Sequence, residues 1–237
     1  MFSVIFEVFP QKDQFNHYLD LAKELKPLLQ EVEGFVDNER FESKLRPGWI
    51  LSHSTWRDEK SVVRWRTTGE HHLVQEKGRG GVLDDYHLRV GDVTGDTNPP
   101  KEAPVKEQRF DETEIGKTTL VTLTEIIPME GMDLGSPQDI LAAIGINDLM
   151  DQIAAYDVFA SIYNPGKIAV LLSWKDKERG RSWTPLKPEK AASLRQRSVR
   201  VVRDYAKYDR REAPQFYPDA QGRQTLHSER KCPVDHK

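Results

Sequence analysis

Hydrophobic positions in this chain switch between two periods, and the switches mark its elements. Residues 2–9 are a mostly apolar run of aromatic and β-branched side chains closed by Pro10-Gln11-Lys12-Asp13, which predicts a strand. From 15 to 32, Leu19, Ala22, Leu25, Leu28, Leu29 and Val32 recur at three- and four-residue spacing, giving a helix with one apolar stripe that Gly34 terminates. Residues 35–43 and 49–56 read as strands joined around Arg46-Pro47-Gly48, where Pro presets φ and Gly accepts a positive φ. Asp58 caps a short helix running through Trp65, a second helical piece covers 70–77, and a strand follows at 86–93. Between these last two, Gly78-Arg79-Gly80-Gly81 is a turn: it lacks the Lys-Ser/Thr of a phosphate loop and precedes a strand rather than a helix. The order β-α-β-β-α-β is a ferredoxin-like unit.

The chain then repeats itself at an offset of 118 residues. Without a gap, this pairs Glu7 with Glu125, Phe41 with Phe159, Pro47-Gly48 with Pro165-Gly166, Trp56 with Trp174, Asp58 with Asp176 and Trp65 with Trp183. The second half accordingly predicts a strand at 118–127, a helix capped by Ser136-Pro137 and running to 153, a hairpin around Asn164-Pro165-Gly166, helical pieces at 176–183 and 188–197, and a strand at 199–205. One four-stranded sheet covered on a single face must bury the other. Two copies in one chain bury it on each other, so the expected fold class is α+β, two fused ferredoxin-like units forming an α+β barrel. The expected boundaries are 1–96 for the first unit, 97–117 for a Pro-rich linker, 118–214 for a degenerate second unit and 215–237 for a polar tail.

Composition narrows the function classes. A hydrophobic share of 37% with 31% charged residues suits a soluble globular protein, and no stretch reaches the roughly 20 apolar residues of a membrane span. The N-terminus carries no basic leader and Cys232 is the single cysteine, so the expected compartment is the cytoplasm, with no disulfide and no multi-cysteine metal site. A net charge of -3 gives no general attraction to nucleic acid, and the basic run at 175–211 reads as a solvated face.

Ser54-Thr55-Trp56-Arg57-Asp58 through Trp65, followed by Glu70-His71-His72 and Gln75, resembles the antibiotic-biosynthesis-monooxygenase family, as does the segment Arg203-Asp204-Tyr205 with Asp209 to Pro214. The resemblance implies a dimeric α+β barrel, here folded as a pseudo-dimeric monomer or a homodimer of such chains. It also implies a cofactor-independent oxygenase of a small aromatic or polyketide-like compound, with no nucleic-acid or membrane partner. The alternatives are a non-catalytic small-ligand or stress-related module and a haem-binding or haem-degrading protein. Against haem, the family's haem-degrading branch uses a strand-one Asn and an axial His ten residues after its Trp. Here the first strand has no Asn, and Gln75 stands ten residues after Trp65.

The candidate catalytic residues are His71 and Trp65: an imidazole titrating near neutrality to take a phenol or enol proton, and an indole wall on which a planar substrate stacks. Glu7, His53 and Gln75 are the candidate substrate-binding residues. His53 and Glu7 also have structural readings, as a satisfied core histidine and as a carboxylate paired with Arg89 or Arg200. His71 and His72 are adjacent and point about 100° apart on a helix, so no metal site is expected, and no cofactor. In the repeat, Lys190 takes the place of His71, so only the first half carries the imidazole.

Overall fold

The computed structural model describes residues 1–69, 71, 75, 78–101, 103–109 and 118–209, with backbone only at 79 and 80. His72, Cys232 and the tail at 215–237 lie outside the described residues. The first half runs β1 (Phe2–Pro10), α1 (Phe15–Glu31), β2 (Phe35–Ser43), β3 (Ile50–Trp56), α2 (Glu59–Arg66) and β4 (Leu83–Asp96). The second runs β5 (Leu120–Pro128), α3 (Pro137–Ala143), β6 (Ile153–Ser161), β7 (Ile168–Trp174), α4 (Lys177–Ser182) and β8 (Ala191–Ala206).

All eight strands close into one antiparallel barrel in the order β1-β3-β2-β6-β7-β5-β8-β4. Each half contributes four neighbouring strands, as two fused ferredoxin-like units require. The halves meet along β4 and β8, paired from His87–Ala206 to Asp96–Arg197, and along a short seam of three pairs from Phe41–Ser161 to Ser43–Phe159. Closure leaves no sheet edge unpaired. Gly91 sits where the long seam bulges, and a β-carbon there would lie 2.4 Å from Val199 Cγ1 and 2.5 Å from the Arg200 carbonyl oxygen. Only glycine permits that approach.

Strand parity divides the sheet into an inner and an outer face. Ile5, Phe41 and Leu51 of the first half meet Leu123, Phe159 and Leu171 of the second inside the barrel. Repeat positions play matching parts: Asp58 and Asp176 cap α2 and α4, Gly48 and Gly166 take φ of 81° and 83° in equivalent hairpins, and Trp56 and Trp174 are buried.

The second half departs from its predicted elements in two places. Its first helix ends at Ala143 instead of 153, because Gly145 turns the chain at φ 75° and a 3₁₀ turn, Asn147–Gln152, follows. The helical piece expected at 188–197 is strand: Pro185 and Pro188 remove backbone donors just before it, and from Ala191 the backbone pairs with β5. That strand also corrects the reading of the basic run, since Arg197 is 1% exposed and points into the barrel. In α1 the apolar stripe is narrower than predicted, with Leu28 left 38% exposed.

Candidate functional site

The outer face of the first half builds a cavity of about 230 Å³ between the sheet and its helices. Its floor is two rows of side chains running across five strands. One row is Arg40, Ser52, Phe6, Leu88 and Tyr205; the next is Asn38, Ser54, Val4, Val90 and Arg203. Each row is polar on β2 and β3, apolar on β1 and β4, and polar again on β8. Neighbouring strands lie about 4.8 Å apart, so the floor is about 19 Å wide.

The helices supply the roof. Tyr18, Leu21, Ala22, Leu25 and Leu29 fall on one stripe of α1 at helical spacing and face the floor. Helix α2 presents Glu59, Val62, Val63, Trp65 and Arg66, and is started by Asp58, whose carboxylate accepts from the Ser61 N–H at 2.8 Å. Beyond it, His71, Gln75 and Gly78 complete the wall. His71 stacks on Trp65, ring centroids 4.3 Å apart and planes 15° from parallel. Its Nδ1 lies 3.1 Å from the Trp65 carbonyl oxygen. A carbonyl can only accept, so Nδ1 donates, and in the neutral ring Nε2 is the nitrogen that bears the lone pair.

The cavity therefore gathers Trp65, His71 and Gln75 and leaves Glu7 and His53 elsewhere. Those two project from the inner face, because odd positions on β1 and β3 point into the barrel. Glu7 is held by Arg89 at 2.5 Å and by Arg46 at 2.6 Å. Burial alone would raise its pKa, but Arg89, His87 and Arg46 bring it well below the usual carboxylate range. His53 lies 2.8 Å from Ser3 Oγ, and burial, reinforced by Arg197, lowers it to about 4. The second half mirrors this with Glu125 between Arg197 at 3.0 Å and Lys167 at 3.1 Å; these cations, with His53, overcome burial and bring it to about 2. The interior is a buried ion-pair network that ties the halves together, as in Arg46 to Asp157 at 2.6 Å.

Sequence reasoning missed the polar floor and Arg66. The available signal was the run of polar residues Asn38, Arg40, Ser52 and Ser54 at alternate positions on two strands covered by an amphipathic helix. In the second half, Ile140, Ile144, Ile146, Trp174 and Trp183 belong to one continuous buried cluster. Trp183 is buried and leans on Trp174 at 5.4 Å. Among the described residues, no group of three His, Cys, Asp or Glu is placed to hold a metal ion, and no helix is long and apolar enough to cross a membrane.

Fold and cavity together define an α+β barrel of fused ferredoxin-like halves with a largely apolar cavity under the helices of one half. The profile of the antibiotic biosynthesis monooxygenase family matches residues 1–77. A curated relative, "Jasmonate monooxygenase ABM" of Pyricularia oryzae, is 46% identical over 226 residues, which cover 93% of this chain and 100% of the relative. The chain belongs to the antibiotic biosynthesis monooxygenase family, and a monooxygenase-like function follows. Among solved structures, an anthrone oxidase-like protein aligns over 90% of this chain and 96% of its own at 13% identity and TM-score 0.35. Another, titled antibiotic biosynthesis monooxygenase, aligns over 40% of this chain and 100% of its own at 17% identity and TM-score 0.36.

Proposed function

We propose that the first-half cavity is the active site of a cofactor-independent monooxygenase acting on a small molecule with an acidic C–H. The observation that carries this reading is the Trp65–His71 stack on the cavity wall. With Nδ1 donating to the Trp65 carbonyl, Nε2 of the neutral ring is the proposed base. Proton removal leaves a carbanion, which gives one electron to dioxygen; the radical pair combines into a peroxide anion that takes up a proton. Loss of water from this hydroperoxide leaves a carbonyl, so that R₂CH₂ and O₂ become R₂CO and H₂O. The substrate supplies all the electrons. Apolar walls keep water from the carbanion, and the Trp65 indole offers a flat surface against which a conjugated substrate lies.

Jasmonate, named for the Pyricularia relative, and an aromatic ketone of the polyketide type are the two compounds to offer first. An oxygen electrode with purified protein should record uptake equal to product formed, unaffected by prior dialysis against a chelator. His71→Ala should cut turnover by about 10²- to 10⁴-fold, the usual worth of a general base. Lys190→Ala should leave turnover unchanged, because Lys190 is exposed and donates to the Asp133 carbonyl far along the repeat. Equal turnover in both variants would remove His71 from catalysis and favour a non-catalytic ligand-binding module in the same cavity.

A further inference from the structure

The cavity floor is chemically graded, and its charges are balanced at one end only. At the β8 end, Arg203 faces Glu59 at 3.7 Å, and Glu59 is also paired with Arg109 at 2.9 Å. At the β2 end stands Arg40. Its side-chain partner is neutral: Nη1 donates to Asn38 Oδ1 at 3.0 Å. The Asn38 amide is held in that orientation by donating Nδ2 to the His53 carbonyl at 2.8 Å. Arg40 Nε is buried with no acceptor, and so is Nε of Arg66 on the roof. Among the described residues neither guanidinium has a carboxylate partner. Gln75 Oε1, also on the wall, is buried without a donor.

A buried donor left unmade costs more than a made one returns, and each of these half-buried guanidiniums keeps one such donor on the cavity lining. At the other end of the floor Arg203 already has Glu59, so among the described residues Arg40 and Arg66 are the lining cations still open to an anionic group of the occupant. We propose that the site binds an amphipathic carboxylate, its head on Arg40 at the β2 edge with Arg66 as the second positive charge, and its apolar body over Val4, Phe6 and Leu88. A guanidinium edge offers two parallel N–H donors, and a planar carboxylate accepts both. A hydroxyl on the body would satisfy Gln75. This deepens the reading of the cavity as a substrate site, since it names the group by which substrate is held. It stands on binding alone and does not depend on His71 chemistry.

The test compares 1-naphthylacetate with its neutral near-isostere 1-naphthylacetamide, by calorimetry or tryptophan quenching at pH 7 and low salt. Wild type should bind the acid about 10- to 100-fold more tightly than the amide, and added salt should narrow the gap. Arg40→Gln should bring the acid down to the amide while leaving the amide unchanged; Arg66→Gln should do so in part. Arg40→Lys, which keeps the charge without the fork, should fall between. Thermal melts show whether each variant is folded, and the acid-to-amide ratio in wild type needs no variant at all. Equal affinity of the two probes, binding of neither, or an unaltered ratio in Arg40→Gln overturns the proposal. Tighter binding of 1-naphthylmethylphosphonate than of the acid overturns the carboxylate assignment. Because no arm reads oxygen uptake, a failure here leaves the oxygenase reading standing, and failed turnover leaves this one standing.

Discussion

Mild acid should weaken this fold through His53, and the size of the effect follows from its surroundings. The imidazole is fully buried inside the barrel, where burial and Arg197 lower its pKa from 6.5 to about 4. The unfolded chain therefore takes up the proton first, and stability is lost as pH falls from about 6.5 towards 4. Between pH 7 and pH 5 that loss is about 2 kcal/mol, which for a chain of this size lowers Tm by about 4–8 °C. Glu7 and Glu125 do not enter that window: their pKa values lie below the ordinary 4.5, so the stability they contribute is lost only at more acid pH. The assay is a series of thermal melts from pH 7 to pH 5 on wild type and His53→Gln, whose amide can still bond to Ser3 but does not titrate. The variant should lose less Tm over that range by about the amount above. It should also keep wild-type affinity for cavity ligands, since His53 faces away from the cavity. Parallel melting curves would refute the linkage, and a weakened ligand would refute the separation of the two faces.

Ala22→Phe places a ring from α1 into the cavity and should abolish ligand binding without lowering Tm, which titration and a melt together decide. Gly91→Ala forces a β-carbon against Val199 and the Arg200 carbonyl at the long seam and should cost about 2–3 kcal/mol in a urea titration. Hemin added to the protein should give no Soret shift of an axially ligated complex, because Gln75 occupies the position of the axial histidine; a sharp shift abolished by His71→Ala would reverse that reading.

The architecture was legible because it was written twice. Two half-length copies with matching Trp, Asp and Pro-Gly positions identify β1 to β4 and β5 to β7 from the sequence alone, and the unburied sheet face demands the barrel. What local pattern could not show was the course of 188–197. Lys, Glu and Ala there favour helix, yet pairing with β5 decides for strand, a tertiary contact overriding propensity. The candidate site was legible in part for a related reason. Trp65, His71 and Gln75 are close in sequence and share one wall, whereas Arg40 comes from a distant strand and becomes visible only when β2 is laid beside β3. Glu7 and His53 stand out in sequence as polar residues in apolar strands, but sequence alone does not say which face of a closed barrel they meet, and here it is the inner one.

Fusion explains why the two halves differ. In a symmetric dimer, a substitution that fills one cavity fills both, so neither can be given up. In a fused chain the second half is free to close its own: α3 is 7 residues where α1 has 17, and Trp183 packs onto Trp174 where Trp65 turns toward His71. The apolar side chains that form one continuous cluster in the second half are split in the first into two clusters, one around Val8, Leu21 and Tyr86 and one around Phe2, Leu29 and Trp56. An opening in that core removes contacts, and left empty it lowers stability. The continuous core of the second half and the ion pairs across the barrel offset that loss, which lets the first half keep its cavity.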